Sequence, residues 1–545
     1  MTSHRLGVRN RGLFLALALV LSACTATDPA APSSTGNTGP ATSSGSSSSA
    51  GTAGAATAAS PSGAAGSTDR DQPPPGTADL VNDAAYAHGS WSWGVADLAT
   101  GRTLYAKGEN TLNFLGSTTK LFTVGTYYDT IGPDATLQTP VYAMGKRSGS
   151  TLDGNLVLVG SGDFILGGRG VLDGKLEFTE PDHVYAYASP LAKPVAADPL
   201  AGLDRLATQV AAAGIRSIQG DVLVDDRLFD PYPTKEGDLT PIMVNDNLLD
   251  VLVTPGAQPG EPAVVRTIPQ TKYFTIVNKA VTGASGSAAT TASTLGADRT
   301  VTITGTIPAG STQLDLAVFA PDPTEYARAL FVEALQRKGI TVKAGLAAPT
   351  AALPAERTYP DTDKVASLTS PPASVLATLV SKISHNRGAE TLMCLLAAHR
   401  GSRTCDDGLK AMLAELDKAG IPRNAVLIYD GEGSDPCSAT PAAMLSWLTW
   451  ARKQPWGEEF RKGLPDVAHD GTIMTKSGLS ARPENGSMPA LFVAAGQAGY
   501  ITTAGGKELA VAVYALNATY PSVAEGLTKD LPTTESFLKQ LRDHN

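Results

Sequence analysis

Gly116-Ser117-Thr118-Thr119-Lys120-Leu121-Phe122-Thr123-Val124 decides how the rest of the chain is read. A serine is followed three places later by a lysine, and an apolar, helix-like run comes next. With Ser117 in the first turn of a helix, Lys120 lies nearly one turn on and on the same face. A lysine amine held against a serine hydroxyl can take its proton when burial keeps that amine neutral part of the time. A helix N-terminus also favours the negative charge that develops on an attacked carbonyl. The same serine is equally a favoured helix cap. Ser536-Phe537-Leu538-Lys539 repeats the spacing in what reads as an ordinary C-terminal helix. The pair alone is therefore a weak signal.

Outward from this stretch, the bulk of the chain sets bounds. It has 545 residues, 42% of them hydrophobic and 17% charged, enough for two or three packed cores. A net charge of -9 gives no reason to expect a nucleic-acid partner. Arg5, Arg9 and Arg11 followed by the apolar run Leu13 to Leu21 read as an export signal, too short to span a bilayer as a mature anchor. Leu21-Ser22-Ala23-Cys24 resembles a lipobox, which makes residues 1–23 a lipoprotein signal peptide and Cys24 a lipidation site; a plain signal peptide with an incidental cysteine is the alternative. Cys394, Cys405 and Cys437 remain, of which two can pair in an oxidising compartment, and the sequence does not choose the pair. No spacing of cysteines or histidines resembles a metal site, so neither metal nor cofactor is expected.

Residues 24–77 are nearly all Ala, Ser, Gly, Thr and Pro and read as a flexible tether. Ser90 to Asp97 alternates like a strand, and Thr103 to Ala106 returns as its hairpin partner, leading into the Ser117 helix. The middle third is mostly strands between Gly, Pro and Asp turns, with helices at about 200–214 and 323–338. Helical patterns then cover about 371–382, 384–398, 406–419 and 441–452, with an acidic loop Asp430 to Asp435 between the last two. Two buried strands from Leu491 and from Leu509 form a hairpin before a terminal helix around 532–542. Strands at both ends with helices between them predict an α+β domain, 78–145 and 361–545, whose sheet both ends complete. The β-rich segment 146–360 is inserted in it.

Two further stretches complete a pattern. They are Ser384-His385-Asn386 and Lys476-Ser477-Gly478, in that order after Ser117-x-x-Lys120. Serine-x-x-lysine, serine-x-asparagine and lysine-serine/threonine-glycine are the motif set of penicillin-interacting serine enzymes. With Leu158 to Asp163, Gly220 to Asp226, Pro241 to Asn247, Asp430-Gly431-Glu432-Gly433 and Gln497 to Tyr500, the chain resembles the penicillin-binding protein 4 type of D-alanyl-D-alanine carboxypeptidase/endopeptidase, serine peptidase family S13. The resemblance runs from about residue 85 to 540. It implies a penicillin-recognising transpeptidase-like domain with β-rich domains inserted after the nucleophile helix.

The resemblance also implies roles. Ser117 is the acylated nucleophile and Lys120 its general base. Ser384 relays a proton to the leaving amine, and Asn386 holds the substrate amide. Lys476 adds positive charge near the substrate carboxylate, and Ser477 in the Lys476-Ser477-Gly478 strand hydrogen-bonds it. The backbone N–H groups of Ser117 and Leu479 form the oxyanion hole. Peptidoglycan stem peptides are the implied substrates and β-lactams covalent inhibitors, with the membrane reached only through the lipid on Cys24. The chain departs from the pattern at His385, where aspartate or asparagine is usual, and in the Asp430 to Asp435 loop. His385 reads as facing solvent or filling a polar gap. A β-lactamase or esterase on the same core, and a non-catalytic cell-wall-binding scaffold, are the alternatives. The long insert speaks against the first, the three retained motifs against the second. No Gly-x-Ser-x-Gly elbow between a strand and a helix suggests an α/β-hydrolase.

Overall fold

A computed structural model describes residues 70–545, apart from 173–174, 188 and 190. The signal peptide, Cys24 and the greater part of the tether lie outside the described residues. Residues 70–77 of the tether are folded against the domain: Ala106 N–H donates to the Arg70 carbonyl, and Thr77 is buried.

Nine strands carry the architecture: β1 (Ser90–Asp97), β2 (Thr103–Lys107), β3 (Gln138–Ser148), β4 (Thr151–Val159), β5 (Val222–Asp225), β6 (Lys364–Thr369), β7 (Ile473–Arg482), β8 (Ala490–Thr502) and β9 (Glu508–Tyr520). The helices around them are α1 (Lys120–Thr130), α2 (Ala201–Ala212), α3 (Pro323–Arg337), α4 (Ala373–Lys382), α5 (Asn386–His399), α6 (Asp407–Lys418), α7 (Pro441–Arg452), α8 (Gly457–Gly463) and α9 (Val523–His544).

The first sheet runs β2-β1-β9-β8-β7, antiparallel throughout. One face packs on α9 through Trp91, Val511, Val513, Leu531, Phe537 and Leu538. The other faces a helical layer whose centre is α1. Every residue of α1 from Lys120 to Tyr128 is buried, because α4, α5 and α6 surround it and leave it no solvent face. Phe122 packs at a tilt, ring centroids 5.3 Å apart, against Trp447 of α7, whose indole N–H donates to the Leu121 carbonyl. Each such fully buried aromatic or leucine contributes about 1.5–3 kcal/mol. A lysine at the start of such a helix is shielded from bulk water.

The insert is a second body. β3, β4, β5 and β6, with the short strands Ser217–Ile218 and Thr341–Val342, form a six-stranded sheet covered by α2 and α3. Because β3 pairs with β6, this sheet holds Gln138 to Ser148 and Lys364 to Thr369 together, so the sequence-derived limit at 146 falls inside β3, and the limit at 360 falls just ahead of β6 and leaves that strand of the sheet outside the insert. In the insert, Gly305 at φ 90° separates the strands Thr300–Thr304 and Thr306–Pro308. Cys394 at the far end of α5 is bonded to Cys405, and Cys437 is free and buried.

Candidate active site

Ser117 lies in a short 3-10 turn, Gly116–Thr119, that runs directly into α1. The turn tightens the helix start, so Lys120 Nζ comes to 2.8 Å from Ser117 Oγ. The same Nζ donates to Asn386 Oδ1 and to the Glu432 carbonyl, each at 2.8 Å. A neutral amine has two N–H bonds and one lone pair. With both N–H bonds directed to Asn386 and Glu432, the lone pair faces the serine hydroxyl.

Lys120 is 1% exposed. Burial holds its amine below the usual lysine range, against the opposing pull of Glu432, Asp430, Glu390 and Glu236. The Glu390, Asp430 and Glu432 carboxylates lie within 4.8 Å of one another. Burial and its two acidic neighbours push Glu390 well above the usual carboxylate range, although it accepts the N–H groups of Gly431 and Glu432. Burial pushes Glu432 up to about 7, with Lys120 pulling it down.

The Asp430 loop is pinned to α1 by Thr123 Oγ1, which donates to the Gly431 carbonyl at 2.6 Å. Gly433 in that loop has φ +97°, and a Cβ there would stand 1.9 Å from the Gly116 carbonyl oxygen. Only glycine lets the loop close on the serine turn. The lysine strand closes the other side: a Cβ on Gly478 would come within 3.1 Å of the Ser117 amide nitrogen.

The structure brings Ser117, Lys120 and Asn386 into direct contact. The cleft beside Ser117 is lined also by Phe114, Lys235, Glu432, Leu479 and Ser480. Ser384 is buried at the start of this wall with its Oγ unpartnered. Lys476 sits two residues along β7 from Met474, on the sheet face towards the helices. It is 1% exposed, and its Nζ donates to the Ser477 carbonyl at 2.7 Å. Burial and the nearby Lys120 charge hold it well below the usual lysine range. Ser477 alternates to the opposite face, where with Thr475 and Gln497 it lines a neighbouring cavity of about 280 Å³. β7 is the edge strand of its sheet.

Of the two sequence readings of His385, facing solvent or filling a polar gap, the first does not hold. The residue is 1% exposed and caps α5, its Nδ1 accepting the Gly388 N–H at 2.8 Å. Ser384 stands one residue ahead of this cap. Glu432 and Asp246 also touch this machinery. Both stand in stretches the sequence singles out, yet neither contact is written in the local pattern.

The comparisons with known proteins agree with this geometry. The model of the "D-Ala-D-Ala carboxypeptidase 3 (S13) family" matches residues 78–531. The D-alanyl-D-alanine carboxypeptidase of Actinomadura sp. (strain R39) is 29% identical over 398 residues, 68% of this chain and 66% of that protein, so the match spans just under two thirds of the relative. Penicillin binding protein 4 from Haemophilus influenzae superposes with a TM-score of 0.62 at 17% identity, covering 86% of this chain and 98% of that one. The same protein complexed with a β-lactam gives 0.60 at 17% identity, over 84% and 97%. These two likenesses give the fold, a penicillin-recognising α+β domain with its inserted body. The family model, running from the first helical turn to α9, gives the kinship: this chain belongs to the D-Ala-D-Ala carboxypeptidase 3 (S13) family.

Proposed function

We propose that this protein is a serine D-alanyl-D-alanine carboxypeptidase/endopeptidase that cleaves peptidoglycan stem peptides through an acyl-enzyme and is acylated by β-lactams. The observation that carries the reading is the Lys120 amine, buried and 2.8 Å from Ser117 Oγ with its other two contacts filled. Ser117 Oγ attacks the carbonyl carbon of the scissile bond, and its proton passes to Lys120 Nζ. The Ser117 and Leu479 amides carry the developing oxyanion. The C–N bond breaks, and the leaving amine takes the proton from Lys120 through the hydroxyl of Ser384. Water then hydrolyses the ester by the reverse route, with Lys120 again as base. Asn386 holds the substrate amide. Ser477 on β7 hydrogen-bonds the terminal carboxylate, with Lys476 beside it on the same strand. Support for the substrate class comes from family membership and the Actinomadura relative, and support for β-lactam acylation from the complexed Haemophilus protein.

No helix among the described residues is long and apolar enough to cross a membrane. Attachment through lipid on Cys24, outside the cytoplasm, is part of the proposal, and mass analysis of the membrane-extracted protein checks it. The catalytic reading is tested with a fluorescent penicillin on the soluble part, with peptide mapping. A stable adduct on Ser117, absent in Ser117→Ala, is expected. No adduct on well-folded protein, and no hydrolysis of a D-Ala-D-Ala peptide, would replace it with a cell-wall-binding scaffold; rapid turnover of the penicillin would point to a β-lactamase.

A further inference from the structure

The insert grips the N-terminal end of α5 at four consecutive residues. Tyr185 Oη donates to the Ser384 carbonyl. Asp246 Oδ1 lies 2.7 Å from His385 Nε2. Glu236 Oε1 accepts from Asn386 Nδ2 at 3.3 Å. The Arg387 guanidinium donates to the carbonyls of Glu236 and Asp238 at 2.7 and 3.1 Å. Ser384 stands at φ +62°, and Asn245, Asp246 and Asn247 at +50°, +52° and +55°. Side-chain-bearing residues persist in that region only where their surroundings over-determine them.

Asp246 is over-determined. Arg169 donates to it at 3.1 Å while making two 2.9 Å bonds to Asp182. His183 Nε2 is 3.0 Å from the same oxygen, with its Nδ1 2.8 Å from Asp250. Burial alone would raise the Asp246 carboxyl, but Arg169, His385 and His183 hold it well below the usual carboxylate range. It is therefore an anion, fixed on the insert and aimed at His385.

His385 has one way to satisfy both neighbours. Its Nδ1 accepts from Gly388, so the ring proton is on Nε2 and is donated to Asp246. The ring also lies flat on Phe164 of the insert, centroids 5.7 Å apart. One imidazole thus bridges a helix terminus and a second folded body. An asparagine here could still cap α5, but its shorter side chain would stop short of Asp246.

We infer that His385 is a positioning residue through which Asp246 makes the insert fix the place of Ser384 and Asn386 relative to Ser117 and Lys120. The inference rests on the acyl-transfer reading above. Its consequence is direct, because Asn386 Oδ1 is one of the acceptors of Lys120. A displacement of about 1 Å in a reacting constellation costs on the order of 100-fold in rate.

The test is the rate of acylation by a fluorescent penicillin against pH, well below each melting temperature, for the wild type, His385→Asn, Asp246→Asn and the double variant. His385→Asn keeps the cap and leaves Asp246 its Arg169 and His183 partners. It is expected to slow acylation about 10- to 100-fold with a melting temperature close to the wild type. Moving Asn386 off Lys120 removes an acceptor that favours the ammonium, so the acid limb of the pH profile moves to lower pH. The two substitutions break one link, so the double variant is no slower than the slower single one. Acylation of His385→Asn within about threefold of wild type overturns the inference, as does a slower rate with an unmoved limb or effects that multiply. Should Asp246→Asn not fold, His385→Asn decides alone. A wild type that takes no label on Ser117 removes the acyl-transfer reading and this inference with it. A wild type that labels beside an unimpaired His385→Asn removes this inference only.

Discussion

Ser117 and Lys120 meet across three positions of continuous backbone. Ser384, His385 and Asn386, which face them, are held by residues 139 to 199 positions away. The first side is made by a 3-10 turn entering a helix, and almost any chain that forms α1 in this core will form it. The second side has a left-handed residue at its start, and no local preference would produce it. A cleft built this way has a fixed half that carries the nucleophile and a half whose placement is delegated to another folded body. Substitutions in the insert can reach the second half without touching the first.

The contrast can be broken most sharply at the fixed half. Lys120→Met keeps the length and apolar stem of the side chain but removes the amine. Acylation should fall about 1,000-fold while Ser384 and Asn386 keep their bonds to the insert, as a crystal structure of the variant would show. Loss of order at Ser384 in that structure would mean the halves are not independent.

Cys394 and Cys405 close an 11-residue separation at the end of α5 away from Asn386. Replacing both with serine should cost about 2–3 kcal/mol of unfolding free energy in denaturant titration, with acylation within about twofold. A large fall in acylation would show that the second half depends on its own helix more than on the insert.

Tyr185→Phe removes only the hydroxyl that holds the Ser384 carbonyl. A hydrogen bond of this kind is worth about 1 kcal/mol, so acylation should slow by about 5- to 10-fold with α1 unaffected. An unchanged rate would place the burden on Asp246 alone.

The smallest expected effect separates charge from placement. The folded-state pKa of Glu432 is raised from 4.5 to about 7, so its contribution to stability is full below pH 4.5 and is lost as pH rises through 7. Stability measured between pH 5 and 8 should therefore fall with pH in the wild type. In Glu432→Gln that slope should be shallower, by on the order of 1 kcal/mol once partial solvent access is allowed for. An identical slope in the variant would mean that Glu432 is ionised throughout.

The same division explains what the sequence could tell. Ser90 to Asp97 alternates because β1 has two unlike faces, and its strand is legible. The helical patterns at 371–382 and 441–452 match α4 and α7, since their stripes face one core. Lys120 and Ser117 are legible because their contact is local. The bridge from His385 to Asp246 is not, because it is decided by how a second sheet docks, and a lone histidine carries no trace of that. The short α8, rich in charge and opening on Gly457, has too few turns to show a period. The disulfide needed the turn between α5 and α6, which brings Cys394 and Cys405 to a Cα separation of 4.2 Å; spacing alone left three pairings open.

The neighbour of β1 in the sheet is β9, paired in register from Ser90 opposite Leu516 to Asp97 opposite Leu509. During synthesis, the strand made first waits for one made more than 400 residues later. Until β9 arrives, β1 and β8 both present open edges and α7 has only part of the sheet to lie on. Contacts of such separation form slowly, so the sheet becomes complete only as a final event of folding. A cut or stalled chain would carry its serine and lysine but no working cleft, a safeguard for any protein whose activity could damage the cell that makes it.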